Sequence, residues 1–142
     1  MKKLIQFIIP VEPMAVQSVR SRIVGGHVMH YQPAKVVRWK AQVRAAIKEA
    51  LPSDWELLNR PIAAKYTLKF PVLKSTPKRV LKQLQEGATI YKWTKPDCDN
   101  CVKGLKDCFN KLVWTDDALV VDERSQKVYA LTPCMEVSIY DI

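Results

Sequence analysis

The chain has 142 residues, 48% of them hydrophobic, and its 23 Lys and Arg against 14 Asp and Glu give a net charge of +9. That length suits one domain spanning residues 1–142 with a real apolar core, and the composition excludes a disordered or fibrous chain. No apolar run approaches the roughly 20 residues that span a bilayer, and four cysteines without a secretory leader point to a reducing, cytoplasmic setting with no membrane partner.

Leu4–Ile9 is a short Ile-rich run closed by Pro10 and Pro13, the pattern of a buried strand. Residues 14–32 are basic and read as irregular or hairpin chain, with Gly25-Gly26 as the tight turn between two short strand-like runs. A long helix is expected between Pro33 and Pro52, burying Val36, Trp39, Val43, Ile47 and Ala50 and turning Lys35, Arg38, Arg44 and Lys48 outward. The alternation of Ile62, Ala64, Tyr66, Leu68 and Phe70 with more polar residues predicts a strand with one wetter face. Thr76-Pro77 opens a shorter helix that Gly87 ends, and a short strand carrying Ile90 and Trp93 follows. A third helix is expected from Asn100 to about Leu112, burying Cys101, Leu105, Cys108 and Leu112, with Gly104 marking a close approach of packing or ligand. Two last strands are expected at Leu119–Val128 and Met135–Tyr140. Interleaved strands and helices imply an α/β (α+β) fold, a mixed sheet flanked by helices.

The charge is unevenly spread. Residues 1–95 hold 18 basic and 5 acidic side chains, whereas residues 96–124 hold 4 and 7. A basic body around an acidic patch suits a polyanion that is drawn in and then meets a metal. The patch reads Lys95-Pro96-Asp97-Cys98-Asp99-Asn100, then Lys103, and ends in Asp116-Asp117. If residues 97–99 are extended, Asp97 and Asp99 share a side and Cys98 points away. An Asp99 that caps the third helix lies at its positive end, with Lys103 one turn on.

Carboxylates gathered this way suit Mg²⁺, which takes oxygen ligands and keeps several waters. Such an ion polarises a phosphodiester and lowers the pKa of bound water, and Lys103 would offset charge growing on the phosphorane. Each piece also has a plainer reading: Asp-x-Asp as helix capping, Asp-Asp as a turn, Lys103 as a solvated ion pair. Their combination within a basic body favours the metal. Cys98-x-x-Cys101 with His27-x-x-His30 fits no common zinc-finger spacing, so buried thiols are expected instead.

Over nearly its whole length, and most sharply over residues 95–121, the chain resembles the RusA family of Holliday junction resolvases. The resemblance is carried by Lys-Pro-Asp-x-Asp-Asn (95–100), Lys103, Asp107 and Val-Trp-x-Asp-Asp-x-x-Val (113–120). Arg20-Ser21-Arg22 followed by Tyr31-x-Pro33 is similar to the family's N-terminal pattern, although its Lys-Gly-Arg-Pro-Arg type of loop is replaced here by Val16–Arg22. The resemblance implies a homodimeric endonuclease, found often in prophages, that makes paired symmetric nicks across four-way DNA junctions in recombination and repair and leaves 5′-phosphate ends. It implies Mg²⁺, or Mn²⁺ in its place, and no small-molecule cofactor. Asp97, Asp99 and Asp117 match the metal-binding and catalytic aspartates, Lys103 the catalytic lysine, and Asp116 a neighbouring acidic position in the metal set. Arg20, Arg22, Lys95 and Lys103 are the expected DNA contacts. Asp107 is expected to serve as an ion-pairing or structural residue, and Trp93 and Trp114 to pack in the core. Two alternatives stand beside this reading: a less selective metal-dependent nuclease on branched or flap DNA, and a non-catalytic basic DNA-binding accessory protein.

Overall fold

A computed structural model describes residues 1–16 and 20–142; the central part of the Val16–Arg22 loop and the side chain of Arg20 lie outside the described residues. The strands are β1 (Lys3–Ile9), β2 (Arg20–Val24), β3 (His27–Tyr31), β4 (Ile62–Pro71), β5 (Val120–Ala130) and β6 (Cys134–Asp141). The helices are α1 (Ala34–Ala50), α2 (Lys78–Gln85) and α3 (Cys98–Phe109). Four strands form a mixed sheet in the order β1-β6-β4-β5, while β2 and β3 pair as a separate antiparallel hairpin. This is the α+β architecture expected from the sequence. Among the described residues no helix is long and apolar enough to cross a membrane.

The pairing of β4 with β5 is parallel, so the chain must cross from the end of one to the start of the other, and α2 and α3 lie on that crossover. One sheet face supplies Phe7, Ile9, Tyr66, Leu68, Met135, Val137 and Ile139 to the core, where they join Val43, Ile47, Leu105 and Phe109 from α1 and α3. Alternation puts Lys65, Thr67 and Lys69 on the opposite face, where Lys69 pairs with Glu136 at 2.8 Å. At the hairpin tip Gly25 and Gly26 have φ of 58° and 80°, the left-handed backbone that a two-residue primed turn requires.

Several expectations are corrected. Ala50, at the last position of α1, is exposed, and Arg44 does not face solvent. Its guanidinium donates to the carbonyls of Cys108 and Asn110 at 3.1 and 3.2 Å, occupying the acceptors that the end of α3 leaves open. No strand forms around Ile90–Trp93. Instead Tyr91 makes a single bridge to Val128, and Lys92 lays its ammonium over the rings of Phe70 and Tyr129, 5.4 and 5.3 Å from their centroids. The lysine stem takes the inward place, so Trp93 projects outward and is 90% exposed. Trp114 is fully buried as expected, stacked on Phe109 with its indole N–H donating to Asn110. Helix α3 begins at Cys98, two residues early, and ends at Phe109, which leaves Leu112 half-buried in the turn beyond.

Candidate active site

Helix α3 and strand β5 form the two walls of the site. Asp97 is the N-cap residue, and its carbonyl accepts the first helical bond from Cys101 N–H. Asp99 falls in the first turn, where the positive helix end favours a carboxylate. Because residues 98–100 are helical, Asp97 and Asp99 do not share one side as an extended segment would place them. The approach to the helix is held by β5: the Lys127 ammonium donates to the carbonyls of Thr94 and Pro96, the latter at 2.7 Å. Lys92 N–H also bonds the Lys127 carbonyl. The predicted close approach at Gly104 is a packing contact. A Cβ there would lie 2.2 Å from a methyl of Val16, whose own N–H bonds the Asn100 carbonyl.

The return from α3 is equally fixed. Lys111 takes a left-handed conformation (φ 66°) just past the helix end. The buried Trp114 then anchors the turn, and Leu58 bonds to both sides of it, accepting from Thr115 N–H and donating to the Val113 carbonyl. Asp116 follows in extended backbone, and Asp117 opens a single 3₁₀ turn leading into β5.

Between these walls lies an open cleft of about 660 Å³ lined by Asp99, Lys103, Lys106, Asp117, Glu123 and Ser125, with Cys98, Asn100 and Val102. The structure thus brings together Asp99, Lys103 and Asp117 from the predicted set. Asp97 and Asp116 do not line the cleft. Asp97 is half-exposed and paired with Lys95 at 3.3 Å. The arginines of the expected DNA surface belong to the hairpin, where Arg22 stacks on Tyr31. Asp107 pairs with Lys40 at 3.2 Å, which keeps it in a structural role.

The cleft has two levels. Asp99 and Lys106 are seven residues apart on α3, so about 10 Å of helix axis separates them. At Asp117, burial, then the adjacent Asp116 carboxyl, hold the carboxyl above the ordinary aspartate range, while the Lys106 charge pulls it down. Sequence reading missed Glu123, which sits at the level of Lys106. It accepts from the Tyr66 hydroxyl at 3.3 Å and pairs with Lys106 at 3.3 Å. Burial first, and then the Glu123 charge, push the Tyr66 phenol far above its usual pKa, so it remains a protonated donor beneath the cleft. Cys101 and Cys108 are core thiols, and burial pushes both up to about 11, whereas Cys98, also expected to be buried, is half-buried and lines the cleft, and Cys134 is half-buried.

Among the described residues no three His, Cys, Asp or Glu side chains converge as a ready-made metal cage. The donor chemistry still fits a hard divalent ion, since Asp99, Asp117 and Glu123, all carboxylate residues, line one open cleft. Mg²⁺ commonly binds through one or two carboxylates, with water and phosphate filling the remaining positions.

Comparison of the sequence with known proteins assigns the chain to a class. Residues 10–140 match the family described as Endodeoxyribonuclease RusA, and the chain belongs to that family of DNA-cutting enzymes, whose members generally depend on divalent metal. It is 32% identical over 139 residues to a Bacillus subtilis (strain 168) protein titled "Uncharacterized protein YqaN", an alignment covering 97% of this chain and 96% of that one.

Proposed function

We propose that the protein is a Mg²⁺-dependent, homodimeric Holliday junction resolvase that makes paired symmetric nicks in four-way DNA junctions. The observation that carries the reading is the convergence of Asp99, Lys103 and Asp117 on one cleft in a chain of this family. Mg²⁺ held by Asp99 and Asp117 would polarise the scissile phosphodiester and lower the pKa of an attacking water. Asp97, at the helix start, joins the set by turning from Lys95 toward the cleft. Lys103 stands on the α3 wall beside Asp99, where its ammonium meets the phosphate oxygens as negative charge grows on them. Lys95 and Arg22 hold the flanking backbone by charge, with Arg20 on the same hairpin. A four-way junction has approximate two-fold symmetry, and two copies of the cleft related by a two-fold axis would cut opposing strands.

The test is incubation with a labelled synthetic four-way junction, in Mg²⁺ and in EDTA, beside linear duplex and flap substrates. Symmetric Mg²⁺-dependent nicks on the junction alone are expected. Cutting of every substrate would instead indicate a less selective nuclease, and a shifted band that is never cut would indicate a binding protein.

A further inference from the structure

The lower level of the cleft contains a cation of its own. Lys106 lies one turn beyond Lys103 on α3, its side chain 21% exposed, with its ammonium 3.3 Å from both carboxylate oxygens of Glu123. Asp117 lines the same cleft. Glu123 is in turn fixed from beneath by the Tyr66 hydroxyl, a fully buried side chain on β4. One ammonium is therefore held by Glu123 in the cleft that Asp117 also lines, where a divalent ion would need oxygen donors. Lys103 differs: it is exposed and makes no ion pair among the described residues.

Two cations cannot share that position. A divalent ion within a few ångströms of an ammonium is repelled strongly even at an effective dielectric near 20. The carboxylates can exchange partners without leaving a buried charge unbalanced, because Glu123 and Lys106 both border open cleft.

We propose that Lys106 is the resident counter-ion of Glu123 in the cleft, displaced from it when a divalent cation is taken up, and that Glu123 then joins Asp117 as a ligand outside the acidic sequence motif. This rests on the metal-dependent reading of the site above. The released ammonium is left beside the cleft, one turn from Lys103, where it faces incoming phosphate. Glu123 thus holds Lys106 in the metal-free protein and gives it up as the metal arrives.

The experiment measures Mn²⁺ binding to the whole protein, without DNA, from the electron paramagnetic resonance signal of unbound Mn²⁺. Lys106→Met should tighten Mn²⁺ by roughly tenfold, Lys106→Arg should stay near wild type, and Glu123→Gln should weaken it by roughly tenfold. Circular dichroism checks that each variant is folded. A second readout needs no variant: reductive methylation followed by mass spectrometry should show Lys106 protected in EDTA and reactive at saturating Mg²⁺, with Lys103 reactive in both. Unchanged Mn²⁺ affinity in both Lys106→Met and Glu123→Gln, or Lys106 reactivity that ignores metal, would overturn the proposal. Asp117→Asn separates this failure from that of the underlying reading. If Asp117→Asn loses Mn²⁺ while those results fail, only the counter-ion exchange is wrong. If wild type binds no Mn²⁺, or Asp117→Asn binds it normally, the metal site itself is wrong and the proposal falls with it.

Discussion

The α3–β5 cleft and the β2–β3 hairpin are built on opposite principles. Behind the cleft lies buried core, with Leu105, Phe109 and Trp114 fully buried, and its surface carries charges of both signs, Lys106 and Glu123 among them paired. Every described side chain of the hairpin is exposed, including Ile23 at 77% and Val28 at 61%, and the sequence has no acidic residue between Glu12 and Glu49. A two-stranded hairpin alone is marginally stable in water. Under the function proposed above, the contrast is a division of labour: the buried frame positions reacting atoms, while the exposed basic arm gathers the polyanion. Substitutions in the first region should alter rate or stability, and those in the second should alter affinity and its salt dependence.

The most severe test of this contrast is Asp117→Asn, expected to lower junction cleavage by at least about 10³-fold while leaving junction binding intact or tighter, because a charge repelling phosphate is removed. Gel-shift and single-turnover assays on the same preparation check it, and wild-type turnover would remove Asp117 from the chemistry. Trp114→Ala should cost roughly 3–5 kcal/mol in urea unfolding, since it empties a fully buried indole site and leaves the Asn110 side chain without its donor. Lys103→Ala should slow cleavage by about 10²-fold with little change in binding; the reverse pattern would make it an anchor only. Arg22→Ala should weaken junction binding by a few-fold and reduce the slope of log affinity against log salt by about 1, with the cleavage rate at saturating protein unchanged. Last, Ile23→Ser should shift unfolding stability by no more than about 0.5 kcal/mol, because its side chain is already in water. A larger loss would show that the hairpin is packed against something in solution.

Local pattern made much of this molecule legible. The three- and four-residue spacing of Val36, Trp39, Val43 and Ile47 defined the buried face of α1, and alternation along Ile62–Phe70 defined the central strand. Gly25-Gly26 marked the hairpin turn, and the spacing of Asp99, Lys103 and Asp117 identified residues that share a cleft. Partnerships across the fold stayed hidden. Arg44 and Lys127 look like solvent-facing charges until helix ends and loop carbonyls come within reach. Glu123 sits in Asp122-Glu123-Arg124, an ordinary polar edge-strand sequence, and gains its meaning only from Tyr66 and Lys106, 57 and 17 positions away. Trp93 misled because burial was inferred from its type, whereas Lys92 had already claimed the aromatic surface. The cap shift from Asp99 to Asp97 is small along the chain, yet it rotates the two carboxylates apart.

Strand β5 begins just past Asp117, and seven residues farther along it Lys127 clasps the carbonyls of Thr94 and Pro96 beside the start of α3. One extended rod therefore gauges the separation between the two acidic halves of the motif, and it lies at the sheet margin with β4 as its only full-length neighbour among the described residues. Peeling that rod away would disengage both halves in a single event. Heat inactivation should accordingly coincide with loss of β5 amide protection in hydrogen exchange, while α1 and β6 remain folded to higher temperature.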